Sequence, residues 1–302
     1  MKKKILVILL LIMSSANAQQ DPQYTQYMYN TINVNPAYAG SRGVASIFGM
    51  HRTQWVGLDG APVTNTLSVN SPVGKNVGLG VSFVNDRIGV MDENTLSVDF
   101  SYTIKGAGVH KFAFGLKGSA DVLNVDYTKL DIYNPADPSY QANIENHFMP
   151  NFGVGVYWYS DTSYIGLSVP NLLESDHYDD NTVAVAKEKR HYYLIGGYVF
   201  DLSYNLKFKP AVMIKAAFGA PLQVDISGNF LFAEKFTVGL AYRWDASVSG
   251  MAGFQITKGI FAGYAYDMET TKLANYNSGS HEIFLRFELF GRQKNVMDPR
   301  FF

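Results

Sequence analysis

The chain has no cysteine in its 302 residues. This excludes a disulfide scaffold, a thiolate metal site, a cysteine nucleophile and the acylated cysteine of a lipoprotein anchor. A protein that crosses an oxidising periplasm has reason to lack thiols. Charge is also scarce. Asp, Glu, Lys and Arg together make 17%, against roughly 25% in soluble domains. The formal net charge of −1 offers no field for nucleic acid or an acidic lipid surface. No stretch approaches the ~18 apolar residues of a transmembrane helix. The histidines (His51, His110, His147, His177, His191 and His281) are scattered, with no HExxH pair to hold zinc. No G-x-S-x-G elbow marks a serine nucleophile. The run Phe152-Gly153-Val154-Gly155 is no phosphate loop, because no helix follows it. The residues therefore point away from an enzyme, a metal site and a cofactor site.

What is abundant is Tyr (20), Phe (20) and Gly (27), at a near-neutral mean hydropathy of −0.05. From residue 44 onward these residues follow a period of two. Leu96, Val98, Phe100 and Tyr102 alternate with Thr95, Ser97, Asp99 and Ser101. Val77, Leu79, Val81 and Phe83 alternate with Gly78, Gly80 and Ser82. Ile283, Leu285, Phe287 and Leu289 alternate with Glu282, Phe284, Arg286 and Glu288. Alternation over about ten residues is what a tilted strand needs to cross a bilayer. The pattern predicts an all-β fold: a transmembrane antiparallel up-and-down β-barrel of about 14 strands, which is an integral outer-membrane architecture. The predicted strands are 44–51, 62–70, 77–85, 94–103, 111–123, 150–160, 163–169, 190–200, 206–217, 222–230, 235–243, 247–257, 259–267 and 279–289. Long connections, near 124–149, 171–189 and 268–278, follow odd strands. Tight turns follow even ones, the asymmetry of outer-membrane barrels. Asp99, Lys117, Asp121, Asp225, Glu282, Arg286 and Glu288 should face the lumen, either braced in pairs or lining a hydrated channel.

The ends differ from this body. Lys2–Lys4, an apolar run from Ile5 to Met13 and Ala16-Asn17-Ala18 read as a signal peptide over residues 1–18. Residues 19–43 form an aromatic, Gln-rich segment in which Tyr24, Tyr27 and Met28 could share a helical face before Asn35-Pro36 breaks it. The barrel then occupies 44–290. A tail, 291–302, ends in Phe301-Phe302. The acidic stretch with Glu174, Asp176, His177, Asp179 and Asp180 lacks the spacing of an EF-hand and reads as a solvated loop.

The run "QDPQYTQYMYNTINVNPAYAGSRG", continued by "HRTQWVGLDGAPVTNTLSVNSP", resembles the N-terminal signature of the PorP/SprF family of type IX secretion membrane proteins of Bacteroidetes. "GLSVPNLL" at 166–173 and "GSHEIFLRFEL" at 279–289 extend the resemblance across nearly the whole mature chain. It implies an outer-membrane protein that assists secretion or surface attachment of substrates carrying a C-terminal sorting domain. In gliding species these include large adhesins. Its expected partners are the bilayer, secretion components and such a substrate. A substrate-specific transport barrel is the alternative. The expected partner-binding residues are Tyr24, Tyr27, Tyr29, Asn33, Asn35 and Pro36, in a segment that plugs the barrel or docks a partner. With them stand Arg52, Gln54 and Trp55 beyond the first strand, as a substrate contact or an interfacial anchor.

Overall fold

The computed structural model describes residues 24–106, 108–131, 143–174 and 189–289. The expected signal peptide, the tail 291–302 and the loop residues Asp176, His177, Asp179 and Asp180 lie outside the described residues.

The body is one antiparallel sheet closed on itself. Its first half comprises β1 (Ala45–Thr53), β2 (Val63–Pro72), β3 (Val77–Ile88), β4 (Met91–Lys105), β5 (Lys111–Val125), β6 (Ile144–Tyr159) and β7 (Ser163–Val169). The second half comprises β8 (His191–Tyr198), β9 (Phe200–Ser203), β10 (Leu206–Ala217), β11 (Gln223–Phe232), β12 (Phe236–Arg243), β13 (Ser247–Thr257), β14 (Ile260–Glu269) and β15 (Ser280–Leu289). Because β10 pairs with both β8 and β9, those two are halves of one crossing broken at Val199, and the wall has 14 crossings. Closure comes from β1 on β15, with Ala45 opposite Leu289 and Thr53 opposite His281. A closed sheet leaves no backbone edge to the hydrocarbon, where an unpaired peptide group costs several kcal/mol.

The alternation has the expected sense. Leu96, Val98 and Phe100 are exposed on the outer face, while Ser97, Asp99 and Ser101 are buried on the inner one. The outer face meets lipid, so exposure there is exposure to an apolar solvent. Every predicted lumen charge points inward; Asp99 and Glu282 are 0% exposed and Lys117 is 6% exposed.

The connections at one rim include 54–62, 126–143, 170–190 and 270–279; those at the other include 160–162, 204–205 and 258–259. In outer-membrane barrels the long loops face outward, which sets the outer and periplasmic rims. Two boundaries differ from expectation. β1 runs on to Thr53, so Arg52 is a strand residue facing the lumen and does not follow the strand. β6 begins at Ile144, because its pairing with β5 continues through a bulge near Leu123 to Val125 opposite Ile144. A small apolar cluster of Leu123, Val125, Tyr127 and Met149 rests on that extension.

Candidate functional site

Residues 24–43 make no strand. They form three single-turn 3-10 helices, Tyr27–Tyr29, Thr31–Asn33 and Pro36–Tyr38. The helical face expected for Tyr24, Tyr27 and Met28 is thus cut short. Pro36 supplies no N–H to continue a helix, and the Asn35 side chain caps the next turn by accepting from the Ala37 N–H at 3.0 Å. The isolated segment has too few backbone bonds to hold such turns, so its shape depends on the barrel wall.

That wall surrounds it. Tyr27, Met28, Tyr29, Ile32, Ala37 and Tyr38 are buried among inward-facing residues of many strands. Contact requires inward positions without side chains. A Cβ at Gly115 would strike the Ala37 backbone; at Gly78, the Ala39 carbonyl; at Gly80, the Ile32 side chain; at Gly155, the Asn35 amide. Glycine is used here for close approach. Asn35 Nδ2 also donates to the Val156 carbonyl at 3.0 Å, Ser168 Oγ to the Val34 carbonyl at 2.6 Å and Ser101 Oγ to the Ala39 carbonyl at 2.6 Å. Midway, the Tyr29 ring lies 4.8 Å from Phe284 and 5.5 Å from Phe261, and Phe48 extends the stack. The Arg286 guanidinium sits 4.8 Å from the Phe261 ring centroid, a cation–π contact.

Buried wall charges hold the outer end through hydrogen bonds, and an ion pair holds the other. Near the outer rim, Arg52 Nη2 lies 2.7 Å from Asp267 Oδ2 and Nη1 lies 3.2 Å from Glu282 Oε2. Thr25 joins the same cluster. Its N–H donates to Glu282 at 3.0 Å, its hydroxyl donates to Asp267 at 2.5 Å, and it accepts from Arg52 at 2.9 Å. The Gln26 N–H donates to the other Glu282 oxygen at 2.9 Å. Beside it, Arg243 Nε donates to Asp225 at 2.7 Å and Nη2 to the Tyr24 carbonyl at 3.4 Å. At the periplasmic end, Arg42 Nε donates to Glu288 at 2.7 Å. Burying these charges is tolerable only because each is paired and hydrogen-bonded.

The partner-binding candidates thus divide in two. Tyr27, Tyr29, Asn35 and Pro36 are buried against the barrel, Asn33 is half-buried, and Tyr24 is half-buried towards the outer mouth. Arg52 joins them inside. Gln54 and Trp55 remain on the outer rim, where Trp55 Nε1 donates to Glu269 at 2.9 Å and its backbone N–H to Ser280 Oγ at 3.1 Å. Trp55 holds φ at 46°, uncommon for a bulky residue and braced by those two bonds. Thr25, Asp267, Arg243 and Phe261 also belong to the site, and no motif marks them. The inward parity of their strands was a signal for the last three; Thr25 had none. Among the described residues no group of His, Asp or Glu is arranged to hold a metal ion.

An apolar outer face, a polar lumen and sheet closure define an outer-membrane β-barrel. Solved structures agree on the fold alone. The outer membrane protein Omp33 of Acinetobacter baumannii is similar at a TM-score of 0.50 and 8% identity, over 82% of this chain and 98% of that one. The CymD monoaromatic hydrocarbon channel is similar at 0.51 and 10%, over 89% and 94%. Sequence defines the family more narrowly. Residues 16–287 match the type IX secretion system membrane protein PorP/SprF family, and the chain belongs to it. No curated protein matches it significantly in sequence.

Proposed function

We propose that this outer-membrane protein serves type IX secretion by binding rather than by conducting or by covalent catalysis. It assists the secretion or surface attachment of exported substrates carrying a C-terminal sorting domain. Outer loops with Gln54 and Trp55 meet the substrate, and the periplasmic rim meets secretion components. The observation that carries this reading is the burial of the chain's own N-terminal segment in the lumen, hydrogen-bonded to buried wall carboxylates through Thr25 and Gln26 at one end and ion-paired through Arg42 at the other. A pore needs a hydrated path; here Arg52, Lys117 and Lys209 are buried, with Arg52 and Lys117 paired to carboxylates and Lys209 set over the Tyr29 ring at 5.7 Å. In this reading the segment is a plug, and Tyr24, Tyr27, Tyr29, Asn33, Asn35 and Pro36 bind partners only through the surface it leaves at either mouth.

The test compares surface and secreted proteomes with and without the gene. Loss of one or a few sorting-domain proteins is expected of a dedicated partner, and loss of all of them of a core component. An unchanged proteome rejects the secretion role. Purified protein in planar bilayers is expected to be closed; a steady open conductance would move the assignment to a transport barrel.

A further inference from the structure

The lipid-facing side of the barrel differs from one arc to the other. On β4 the outward side chains Ile104, Tyr102, Phe100, Val98 and Leu96 are apolar or aromatic and exposed. Ile104 to Leu96 is nine residues, the length a tilted strand needs to cross the hydrocarbon. Towards the outer rim the next two outward residues are Asn94 and Asp92. On β2 and β3, Leu67 and Phe83 give way in the same direction to Asn65 and Asn85. These polar residues are cross-strand neighbours: His51 stands opposite Asn65, Asn65 opposite Asn85 and Asn85 opposite Asn94. They form one row across β1–β4, directly above the last apolar row and therefore at the level of the outer-leaflet headgroups. On the opposite arc, β12, β13 and β14 carry Tyr242, Val248 and Met268 outward near their outer ends, the usual apolar and aromatic rim.

The row is bonded from end to end. His51 Nδ1 lies 2.7 Å from Asn65 Oδ1, and Asn65 Nδ2 donates to Asn85 Oδ1 at 3.4 Å. Asn85 Nδ2 donates to Asn94 Oδ1 at 3.0 Å and to Asp92 Oδ1 at 2.9 Å. Asn94 Nδ2 donates to the same Asp92 oxygen at 3.0 Å, and Arg87 Nε to the other at 2.8 Å. Every side-chain oxygen of the row thus already has a hydrogen-bond partner, and three donors cover the Asp92 charge. What the row still offers is N–H: the second amide hydrogens of Asn65 and Asn94 and the two amino groups of Arg87, whose side chain is 65% exposed. A surface whose acceptors are filled and whose open donors include a guanidinium suits an oxyanion, phosphate above all.

We propose that this row binds the phosphorylated headgroup of an outer-leaflet lipid. The surface beneath it identifies the phosphate as a lipid's. Leu67, Phe83 and Leu96 continue the row downward as an exposed apolar face. An amphiphile with its phosphate on the row lays its acyl chains on these three residues, whereas a free phosphate gains nothing from them. The site holds lipid on the β1–β4 arc alone, and it is independent of the proposed secretion role.

For the test, the full chain is refolded in phosphate-free maltoside micelles containing phosphorylated lipid A, and the lipid A kept per barrel is counted by native mass spectrometry. Retention by the parent is expected, falling severalfold with dephosphorylated lipid A. Asn85→Leu/Arg87→Leu keeps the outer face apolar and alters no lumen contact. It is expected to lower retention to the same extent, and Tyr242→Leu on the opposite arc is expected to leave it unchanged. Equal retention of the two forms of lipid A by the parent overturns the site without recourse to a variant. Equal retention by parent and Asn85→Leu/Arg87→Leu overturns it as well. Displacement of lipid A by excess inorganic phosphate overturns the lipid as the occupant.

Discussion

The barrel wall and the segment inside it are built by different physics. The wall is a repeated solution: every residue pair makes the same backbone bonds, and the side chain needs only the polarity of its face. A substitution on the lipid side is judged by depth and hydropathy alone. The segment repeats nothing. Its position is set by particular contacts: a carboxylate receiving two backbone N–H groups, four glycines that leave room, a tyrosine within a stack of three phenylalanines. The wall should therefore tolerate conservative change widely, while the segment should respond sharply to single atoms.

Four substitutions sharpen that contrast. The largest effect is expected from Glu282→Ala, which strips the Thr25 and Gln26 N–H groups of their acceptor and leaves buried Arg52 with Asp267 as its one carboxylate partner. Loss of one partner of a buried pair costs about 3–5 kcal/mol. Its signature is proteolysis within residues 24–43 while the barrel core stays heat-modifiable in gel assays. Next is Val98→Arg at the centre of β4 on the lipid face, expected to cost about 2–4 kcal/mol, read from denaturant refolding into lipid vesicles. The segment of the molecules that do fold should remain protected. Third, Gly115→Val forces a side chain into the Ala37 backbone, an overpacking cost of roughly 1–3 kcal/mol; protease exposure of the segment rises, whereas Gly118→Val, where a Cβ meets nothing, leaves it protected. The smallest is Asn35→Ala, which removes the cap on the third turn for about 0.5–2 kcal/mol, visible as faster hydrogen exchange at Ala37 and Tyr38. If Val98→Arg released the segment, or Gly115→Val blocked membrane insertion, the two regions would not be separable in this way.

Legibility in the sequence follows the same division. The strands were readable because alternation needs only neighbours two apart, and the inward charges Asp99, Lys117, Asp225 and Glu282 were readable from parity. Arg52 was misplaced because strand ends depend on how far the partner strand continues, here on β15 and His281 opposite Thr53. Gln54 and Trp55 follow β1 in the β1–β2 connection, and nothing local indicated that Trp55 would pair with Glu269, more than 200 residues away.

From sequence alone came the barrel, its approximate strand number, which face meets lipid and the family, because lipid imposes a two-residue period and a closed sheet wherever a strand crosses. Only the tertiary structure decided that residues 24–43 lie inside that barrel, which carboxylates hold them and which way they run. Those contacts join Thr25 to Asp267 and Glu282 across some 240 to 260 positions, and no local pattern encodes a meeting that the closing of the sheet brings about.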